Sequence, residues 1–272
     1  MLQHIRTHIA YLDILGFKKM LLDLGVERLY ERLSELLERT GELFTPQVTR
    51  GWVQNDMPRK LHRYAKVFHF SDTLVLIPNF DGYREMEITL LNEMREALPE
   101  LRGGLSTETL VNMNAESSIV HMFYTMLRSL MMVSIEMRIP LRGATAYGEI
   151  VSDEEKRIIL GQPIIDAYEL EKRQEWIGII FHPSTARYRL GDNEPAATMW
   201  VRRHDVPMKC DKIESHLVLE WFRDENGQVN EATKQALIEM RDASNSPDAN
   251  VRKKYENTLA FIEVLEKRWT KT

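Results

Sequence analysis

Short blocks of apolar residues alternate with polar stretches along this chain of 272 residues. Four apolar runs, each bounded by turn residues, predict β-strands at residues 8–12, 64–70, 73–77 and 141–150. The dipeptide Ser71-Asp72 separates two of these runs, so we expect a hairpin with Asp72 at its tip.

Helices are predicted between and after these strands, because apolar residues recur there at helical spacing. They cover approximately residues 16–22, 26–44, 85–98, 117–138, 161–171 and 251–269. The methionine-rich fourth helix ends before Pro140, and we interpret its apolar side as core. Residues 217–222 fit either a strand or a helix, and the polar segments 49–60 and 244–248 predict loops. This order of elements predicts an α+β fold, with helices packed on an antiparallel or mixed sheet.

The composition is that of an ordinary globular protein with one large domain or two small ones, since 43% of residues are hydrophobic and 28% are charged. Lys and Arg total 36 against 41 Asp and Glu, and a net charge of -5 gives no general attraction to nucleic acid or acidic lipid. Cys210 is the only cysteine, which excludes an intramolecular disulfide and a cysteine-based zinc cluster. We expect neither a signal peptide nor a membrane-spanning stretch, and therefore a cytoplasmic protein.

Two aspartates, Asp13 and Asp72, each stand at the end of an apolar strand. A carboxylate in that position is unfavourable unless a charge meets it, and Mg or Mn, which prefer oxygen ligands, are suitable partners. Either aspartate alone is as well explained as a turn or helix cap, but the pair favours a metal site. Backbone amides of Leu15, Gly16 and Phe17, at the start of the next helix, are suited to bind phosphates.

Four motifs occur in the order found in class III nucleotidyl cyclases. They are residues 12–17 (Leu-Asp-Ile-Leu-Gly-Phe), 70–72 (Phe-Ser-Asp), 141–144 (Leu-Arg-Gly-Ala) and 161–171 (Gly-Gln-Pro-Ile-Ile-Asp-Ala-Tyr-Glu-Leu-Glu). The chain resembles that superfamily over roughly its first two-thirds. In the residues of these motifs it most resembles the bacterial pyrimidine cyclases of Pycsar antiphage systems. Each motif alone is weak, whereas all four in the correct order are specific.

The resemblance implies a class III cyclase-like fold, with a ferredoxin-like βααββαβ core and a C-terminal helical extension. The implied catalytic domain is 1–209, and the extension at 210–272 is expected to pack on the same domain or on a dimer partner. Class III cyclases form their sites between two catalytic domains, and this chain has one, so the resemblance implies a homodimer.

The resemblance also implies the site residues. Asp13, Asp72 and the main-chain carbonyl of Ile14 would hold two divalent ions, Mn or Mg, about 3.5–4 Å apart. Arg142 would contact the triphosphate, with Lys18 or Lys19 as possible helpers. A solvated arginine at a strand edge is the alternative interpretation of Arg142. The histidines lack metal-ligand spacing and are interpreted as structural: His62, His69, His121 and His182.

The residues that select a purine base in the superfamily are replaced here by Phe68 and Ile158. Apolar side chains cannot read the polar edge of adenine or guanine, which favours a smaller pyrimidine base. Phe68 is therefore a candidate for the nucleotide pocket, although the core is the commoner place for a Phe in a strand. Tyr64 and Lys66 are weaker candidates on the same face of the strand.

The asparagine and arginine that stabilise the transition state in many class III enzymes correspond to Ile165 and Glu169, and neither can replace them. Equivalent donors would come from Tyr168, Lys172 or Arg173, or the arrangement follows the Pycsar type, or catalysis is slow.

These features predict a pyrimidine nucleotide cyclase that converts UTP to 3′,5′-cyclic UMP and pyrophosphate. CTP to cyclic CMP is the nearest alternative, followed by a purine cyclase with unusual base contacts. A cyclase-like domain that binds nucleotide or a partner without turnover is the alternative from another class. The resemblance also implies an antiviral signal read by a separate effector, and we expect no binding to nucleic acid or membranes.

Overall fold

The computed structural model describes residues 2–43, 61–97, 106–153, 155–156, 158–186, 200–223, 228–244 and 249–269. The elements up to the fourth strand are β1 (Leu2–Ile14), α1 (Phe17–Leu24), α2 (Val26–Leu43), a short 3-10 helix (Leu61–Arg63), β2 (Ala65–Phe70), β3 (Thr73–Pro78), α3 (Phe80–Ala97), α4 (Thr107–Glu136) and β4 (Leu141–Asp153). The later elements are β5 (Ile158–Leu160), α5 (Gln162–Arg173), β6 (Ile179–Phe181), α6 (Pro183–Ala186), β7 (Val201–Met208), β8 (Lys212–Leu219), α7 (Glu231–Ala243) and α8 (Ala249–Trp269).

The first four strands form an antiparallel sheet in the order β2-β3-β1-β4. Helices connect β1 to β2 and β3 to β4, while β2 and β3 form a hairpin. This is the ferredoxin-like order of strands and crossovers. The predicted α+β fold with a ferredoxin-like core is confirmed, although two helices, α3 and α4, connect β3 to β4 where the βααββαβ order has one. The order of strands places the end of β1 between the starts of β3 and β4.

Three further strands extend this sheet beyond β4. The short strand β6 pairs in parallel with β4, β8 pairs antiparallel with β6, and β7 completes that edge. Strand β5 pairs with the far end of β4. Residues 217–219 belong to a strand, which decides the open choice between strand and helix at 217–222. The sheet continues across the boundary expected at 209/210, which lies in the turn between β7 and β8.

Helix α4 supplies much of the core. The apolar side predicted for it is buried, namely Val120, Phe123, Met126, Leu127 and Leu130. Its segment Ser118–Glu136 is long and apolar enough to span a membrane by length and composition, so the expectation that no stretch has this property is wrong. However, 72% of that segment's most apolar window is buried inside the fold, as in a core helix.

Two predicted boundaries are wrong for different reasons. Strand β1 begins at Leu2 instead of residue 8, because its first half pairs residue by residue with β4 despite weak hydrophobicity. Helix α4 begins at Thr107, ten residues earlier than predicted, since polar residues there do not interrupt the helix. The loop predicted at 49–60 lies outside the described residues. Of the loop predicted at 244–248, Ser244 follows the end of α7 and 245–248 lie outside the described residues.

Helix α8 packs against the loop that follows α5. Four members of its predicted apolar stripe are buried: Tyr255, Leu259, Ile262 and Leu265. Its polar side chains also reach that loop. Asn257 Nδ2 donates to Glu175 O at 2.6 Å, Lys254 Nζ lies 3.1 Å from Glu175 Oε1, and Ile177 N donates to Thr258 Oγ1 at 2.8 Å. The C-terminal helix is therefore joined to the segment between α5 and β6.

Candidate functional site

Asp13 is the second-last residue of β1 and lies between two neighbouring strands. Its Cα partners are Thr73 in β3 and Arg142 in β4. Because directly opposed residues of antiparallel strands place their side chains on the same face, Asp13 and Arg142 are brought together by the register of β1 and β4. The Asp13 side chain keeps 24% of its surface exposed.

Asp72 lies in the two-residue turn of the β2–β3 hairpin, as predicted. Ser71 precedes it with φ 56°, a left-handed conformation that disfavours residues with a side chain. His69 Nε2 forms a hydrogen bond with Ser71 O at 2.8 Å. Ile14 N donates to Asp72 O at 2.8 Å, which attaches the turn to the end of β1 directly after Asp13. The structure therefore brings the two predicted metal ligands to one end of the sheet.

Arg142 is buried, with only 8% of its side chain exposed. Its Nη2 lies 3.4 Å from Asp13 Oδ2 and also forms an ion pair with Glu171 Oε1, while Nη1 donates to Gln174 O at 3.1 Å. The alternative of a solvated arginine is therefore wrong. Direct contact with a triphosphate stays a prediction, and it requires these contacts to change.

Two carboxylates, those of Asp13 and Glu171, share the Arg142 guanidinium, and the charge of Asp72 also acts on Asp13. Burial raises the pKa of Asp13, and the charge of Asp72 adds to that rise while Arg142 opposes it. Burial likewise raises the pKa of Glu171, again opposed by Arg142 and assisted by Asp13. Lys254 and Lys209 also oppose the rise at Asp13, to a smaller extent than Arg142. In the described part of the chain Arg142 is the cation paired with Asp13, so a bound cation would further stabilise the charged form of this partly dehydrated carboxylate.

The residues present fit a divalent cation. Carboxylate and carbonyl oxygens are the ligands that Mg and Mn prefer, and Asp13, Ile14 and Asp72 offer such oxygens at the end of β1. Across the residues that the structure describes, no three His, Cys, Asp or Glu side chains form a metal cluster. A cation here would depend on the two aspartates, the main chain and the bound substrate.

The start of α1 supplies backbone donors beside Asp13. Gly16 precedes the helix with φ 76°, a left-handed conformation that favours glycine, and no side chain caps the helix. The first amides of a helix lack intrahelical partners, so the Phe17 end is suited to an anion. The expectation of a free amide at Leu15 is wrong, because Leu15 N donates to Pro140 O at 2.9 Å.

The other predicted phosphate and base contacts are less well supported. Lys18 and Lys19 are exposed on α1, and Lys19 lies 3.3 Å from Asp23. Phe68 is only 7% exposed and belongs to the hydrophobic core, which favours the structural interpretation of this residue. Lys66 Nζ donates to Gln3 Oε1 at 3.1 Å.

Ile158 lies far from the aspartates of its own chain. It is 43% exposed and pairs with Asp153 at one end of β4, whereas Asp13 pairs with Arg142 at the other end. The intervening strand is about 36 Å long at roughly 3.3 Å per residue. A single nucleotide cannot touch both Asp13 and Ile158 of one chain.

Helix α5 exposes the positions that would carry the transition-state residues. Ile165 and Glu169 are both exposed. The three candidate substitutes already have contacts on the same helix or sheet. Lys172 Nζ lies 4.4 Å from the ring centroid of Tyr168, and Arg173 Nη2 lies 2.5 Å from Glu214 Oε1.

Two residues of this region were not predicted from the sequence as site residues. Glu171 could not be identified from the sequence, because only the packing of α5 on the sheet brings its side chain to Arg142. Tyr11 precedes Asp13 by two residues in β1, and residues two apart in a strand lie on the same face of the sheet. Its hydroxyl is 3.2 Å from Thr73 Oγ1, and its ring centroid is 5.4 Å from that of Tyr168. The alternation of side chains along β1 could therefore have identified Tyr11 from the sequence.

Comparison with known proteins gives similarity to solved structures only. No protein-family model and no curated protein sequence matches the chain. Two structures of a bacterial light-regulated adenylyl cyclase match with 12% and 13% sequence identity and a TM-score of 0.36 each. Each match covers 89% of this chain and 58% of the solved chain, so this chain spans little more than half the length of the structures it matches.

Proposed function

We propose that this protein is a nucleotidyl cyclase that converts UTP to 3′,5′-cyclic UMP and pyrophosphate with Mn or Mg. The observation that carries the proposal is the meeting of Asp13 and Asp72 at the end of β1, held by the hydrogen bond from Ile14 N to Asp72 O. The four motifs that resemble class III cyclases support it, since they supply both aspartates, the Gly16 turn and Arg142.

Each residue has a distinct task in this proposal. Asp13 and Asp72, with the carbonyl of Ile14, hold the divalent ions. The amides at Gly16 and Phe17 bind the phosphate oxygens, where glycine leaves space and the helix N-terminus favours negative charge. When bound, the ions lower the pKa of the ribose hydroxyl and neutralise the triphosphate. The 3′-oxygen would then form a bond to the α-phosphorus as the bond to pyrophosphate breaks, and the hydroxyl proton would pass to solvent.

The pyrimidine preference is the finer part of the proposal. It rests on sequence, because neither Phe68 nor Ile158 offers the hydrogen bond that would identify a purine edge. CTP remains the nearest alternative substrate, and a purine cyclase with other base contacts is next. An antiviral role with a separate effector that reads cyclic UMP is proposed from the resemblance alone.

A homodimer follows from the same proposal. Asp13 in β1 and Ile158 in β5 pair with opposite ends of β4, so a nucleotide bound at Asp13 can meet Ile158 only if a second copy supplies it. The exposed positions Ile165 and Glu169 on α5 are also suited to a partner. The proposed site would therefore be completed by two chains.

A second candidate is a nucleotide-binding module without turnover. It is favoured by one observation, the absence of an asparagine and an arginine at 165 and 169. The pure protein should be incubated with ATP, GTP, CTP and UTP plus Mn, and products identified by mass. Cyclic UMP as the main product supports the proposal. Nucleotide binding without any cyclic product supports the second candidate, and cyclic AMP or cyclic GMP as the main product overturns the pyrimidine assignment.

A further inference from the structure

Glu171 is a buried carboxylate with no task in the proposed reaction. Only 3% of the residue is exposed, and it lies on the side of α5 that packs on the sheet, next to buried Leu170. Its ion-pair partner is Arg142, which in turn contacts Asp13. Burying a charge in this way is unfavourable unless it is paired, so Glu171 and Arg142 depend on each other.

Arg142 is held by a hydrogen bond to Gln174, whose own side chain is fixed by two further hydrogen bonds. Its Nη1 donates to Gln174 O at 3.1 Å, Gln174 Nε2 donates to Gly143 O at 2.7 Å, and Trp176 Nε1 donates to Gln174 Oε1 at 2.9 Å. A Cβ at Gly143 would lie 2.3 Å from Tyr11 O, so β4 approaches β1 as closely as glycine permits. The guanidinium therefore sits in a tightly packed setting with little freedom to move.

A guanidinium beside a metal-binding carboxylate has two opposing effects. It orients the carboxylate, but its positive charge also competes with the metal for that carboxylate. Here Arg142 shares one nitrogen between Asp13 and Glu171, and its distance to Asp13 Oδ2 is 3.4 Å, longer than the usual range of about 2.7–2.9 Å for a charged hydrogen bond. Glu171 thus draws the arginine partly away from Asp13.

We infer that Glu171 is a positioning residue for the metal site: it holds Arg142 so that Asp13 is oriented but keeps enough negative charge to bind a divalent cation. The inference deepens the proposed function and rests on Asp13 as a metal ligand. The cation that would bind is Mn or Mg. Glu171 does not touch it but affects its binding through Arg142.

The test measures Mn²⁺ binding directly, by loss of the free Mn²⁺ electron paramagnetic resonance signal on titration with protein. Glu171→Gln should weaken Mn²⁺ binding at least tenfold, or about 1.4 kcal/mol, because Arg142 then pairs with Asp13 alone. Glu171→Asp keeps the charge and should bind within about threefold of wild type. Adding Arg142→Gln to Glu171→Gln should recover Mn²⁺ binding, since the competing cation is gone.

Glu239→Gln is the matched control, because Glu239 also pairs with an arginine, Arg138, but at the exposed start of the loop before β4. It should bind Mn²⁺ like wild type. Unchanged or tighter binding in a folded Glu171→Gln protein overturns the inference, provided that wild type binds and Asp13→Asn does not. Absence of binding by wild type overturns the proposed metal site itself. If Glu171→Gln does not fold, Glu171→Asp and the double variant decide the matter, and failure of the double variant to bind overturns the inference.

Discussion

Asp13 and Arg142 are directly opposed across β1 and β4, with Oδ2 and Nη2 3.4 Å apart. This contact joins the end of the first strand to the start of the fourth, more than a hundred residues later in the chain. It also places a positive charge beside the carboxylate proposed to bind metal. The strength of that metal site therefore depends on how far Arg142 is satisfied elsewhere.

The first prediction concerns the aspartates. Asp13→Asn or Asp72→Asn should abolish cyclisation, because each removes a charged ligand without changing core volume. Removing one of three neighbouring negative charges should leave the melting temperature without metal equal to or above that of wild type. Mn²⁺ should raise the melting temperature of wild type only. Near-normal product yield from either folded variant contradicts the two-metal proposal.

The second prediction concerns the buried ion pair. Arg142→Met should reduce stability by about 3–5 kcal/mol, because it leaves buried carboxylates without their cation. Arg142→Met combined with Glu171→Met should cost less than the sum of the two single changes, by at least about 1 kcal/mol. Urea unfolding of the four proteins gives this coupling energy. Simple additivity would show that the pair contributes no specific stability.

The third prediction concerns the hairpin turn that carries Asp72. Ser71→Gly should raise stability by up to about 1 kcal/mol, because glycine adopts the left-handed conformation at φ 56° without strain. Ser71→Ala is the matched control and should give no such gain. Thermal unfolding distinguishes the two, and equal melting temperatures would argue against strain at this turn. Cyclase activity should persist in Ser71→Gly, since Asp72 and its main-chain contact with Ile14 are unchanged.

The fourth prediction concerns the base. In competition among equimolar triphosphates, wild type should prefer a pyrimidine over ATP and GTP, and a tenfold preference needs only about 1.4 kcal/mol. Arg142→Gln should lower UTP and CTP turnover by the same factor, because a guanidinium held on Asp13 does not distinguish the two bases. Unequal losses would assign Arg142 to base recognition.

Phe68→Ala, by contrast, should cost about 3–5 kcal/mol of stability, as expected of a core residue.

The fifth prediction concerns acid stability and His8. Burial lowers the pKa of His8 from 6.5 to about 3, and its Nδ1 lies 2.6 Å from the Tyr124 hydroxyl. A depressed folded-state pKa stabilises the protein above pH 6.5, and this contribution is lost as the pH falls towards 3. Between these two pKa values, stability should decline by about 1.4 kcal/mol per pH unit from this group. Urea unfolding at several pH values should show a shallower decline for His8→Gln, and an unchanged slope would contradict the assignment.

Local patterns in the sequence were sufficient for the central fold. The apolar run before Asp13 and the Ser71-Asp72 turn identify β1 and the hairpin, because period and turn chemistry are local properties. Strand β6 ends an apolar run at residues 176–181, so a local signal for it was present in the sequence, whereas β7 carries few consecutive apolar positions and has none. Both depend on pairing partners that are distant in the chain.

The candidate site shows the same division. Asp13, Gly16 and Asp72 stand out because each interrupts a pattern. Glu171 does not, since a glutamate in a helix is ordinary until the fold buries it under α5. The contacts of Arg142 with Glu171 and Gln174 O could not be predicted from the sequence either. They depend both on the register of β1 against β4 and on where α5 ends.

The attachment of α8 to the loop after α5 has a practical consequence for protein engineering. Asn257 and Lys254 both reach Glu175, whose neighbour Gln174 accepts the hydrogen bond from Arg142. A shortened gene ending at residue 209 would remove β8 and α8 together, leaving this loop without its support. Exchange of C-terminal regions between similar chains would thus alter the surroundings of Arg142 and the proposed metal site indirectly, so α8 offers a way to change that site without mutating any proposed ligand.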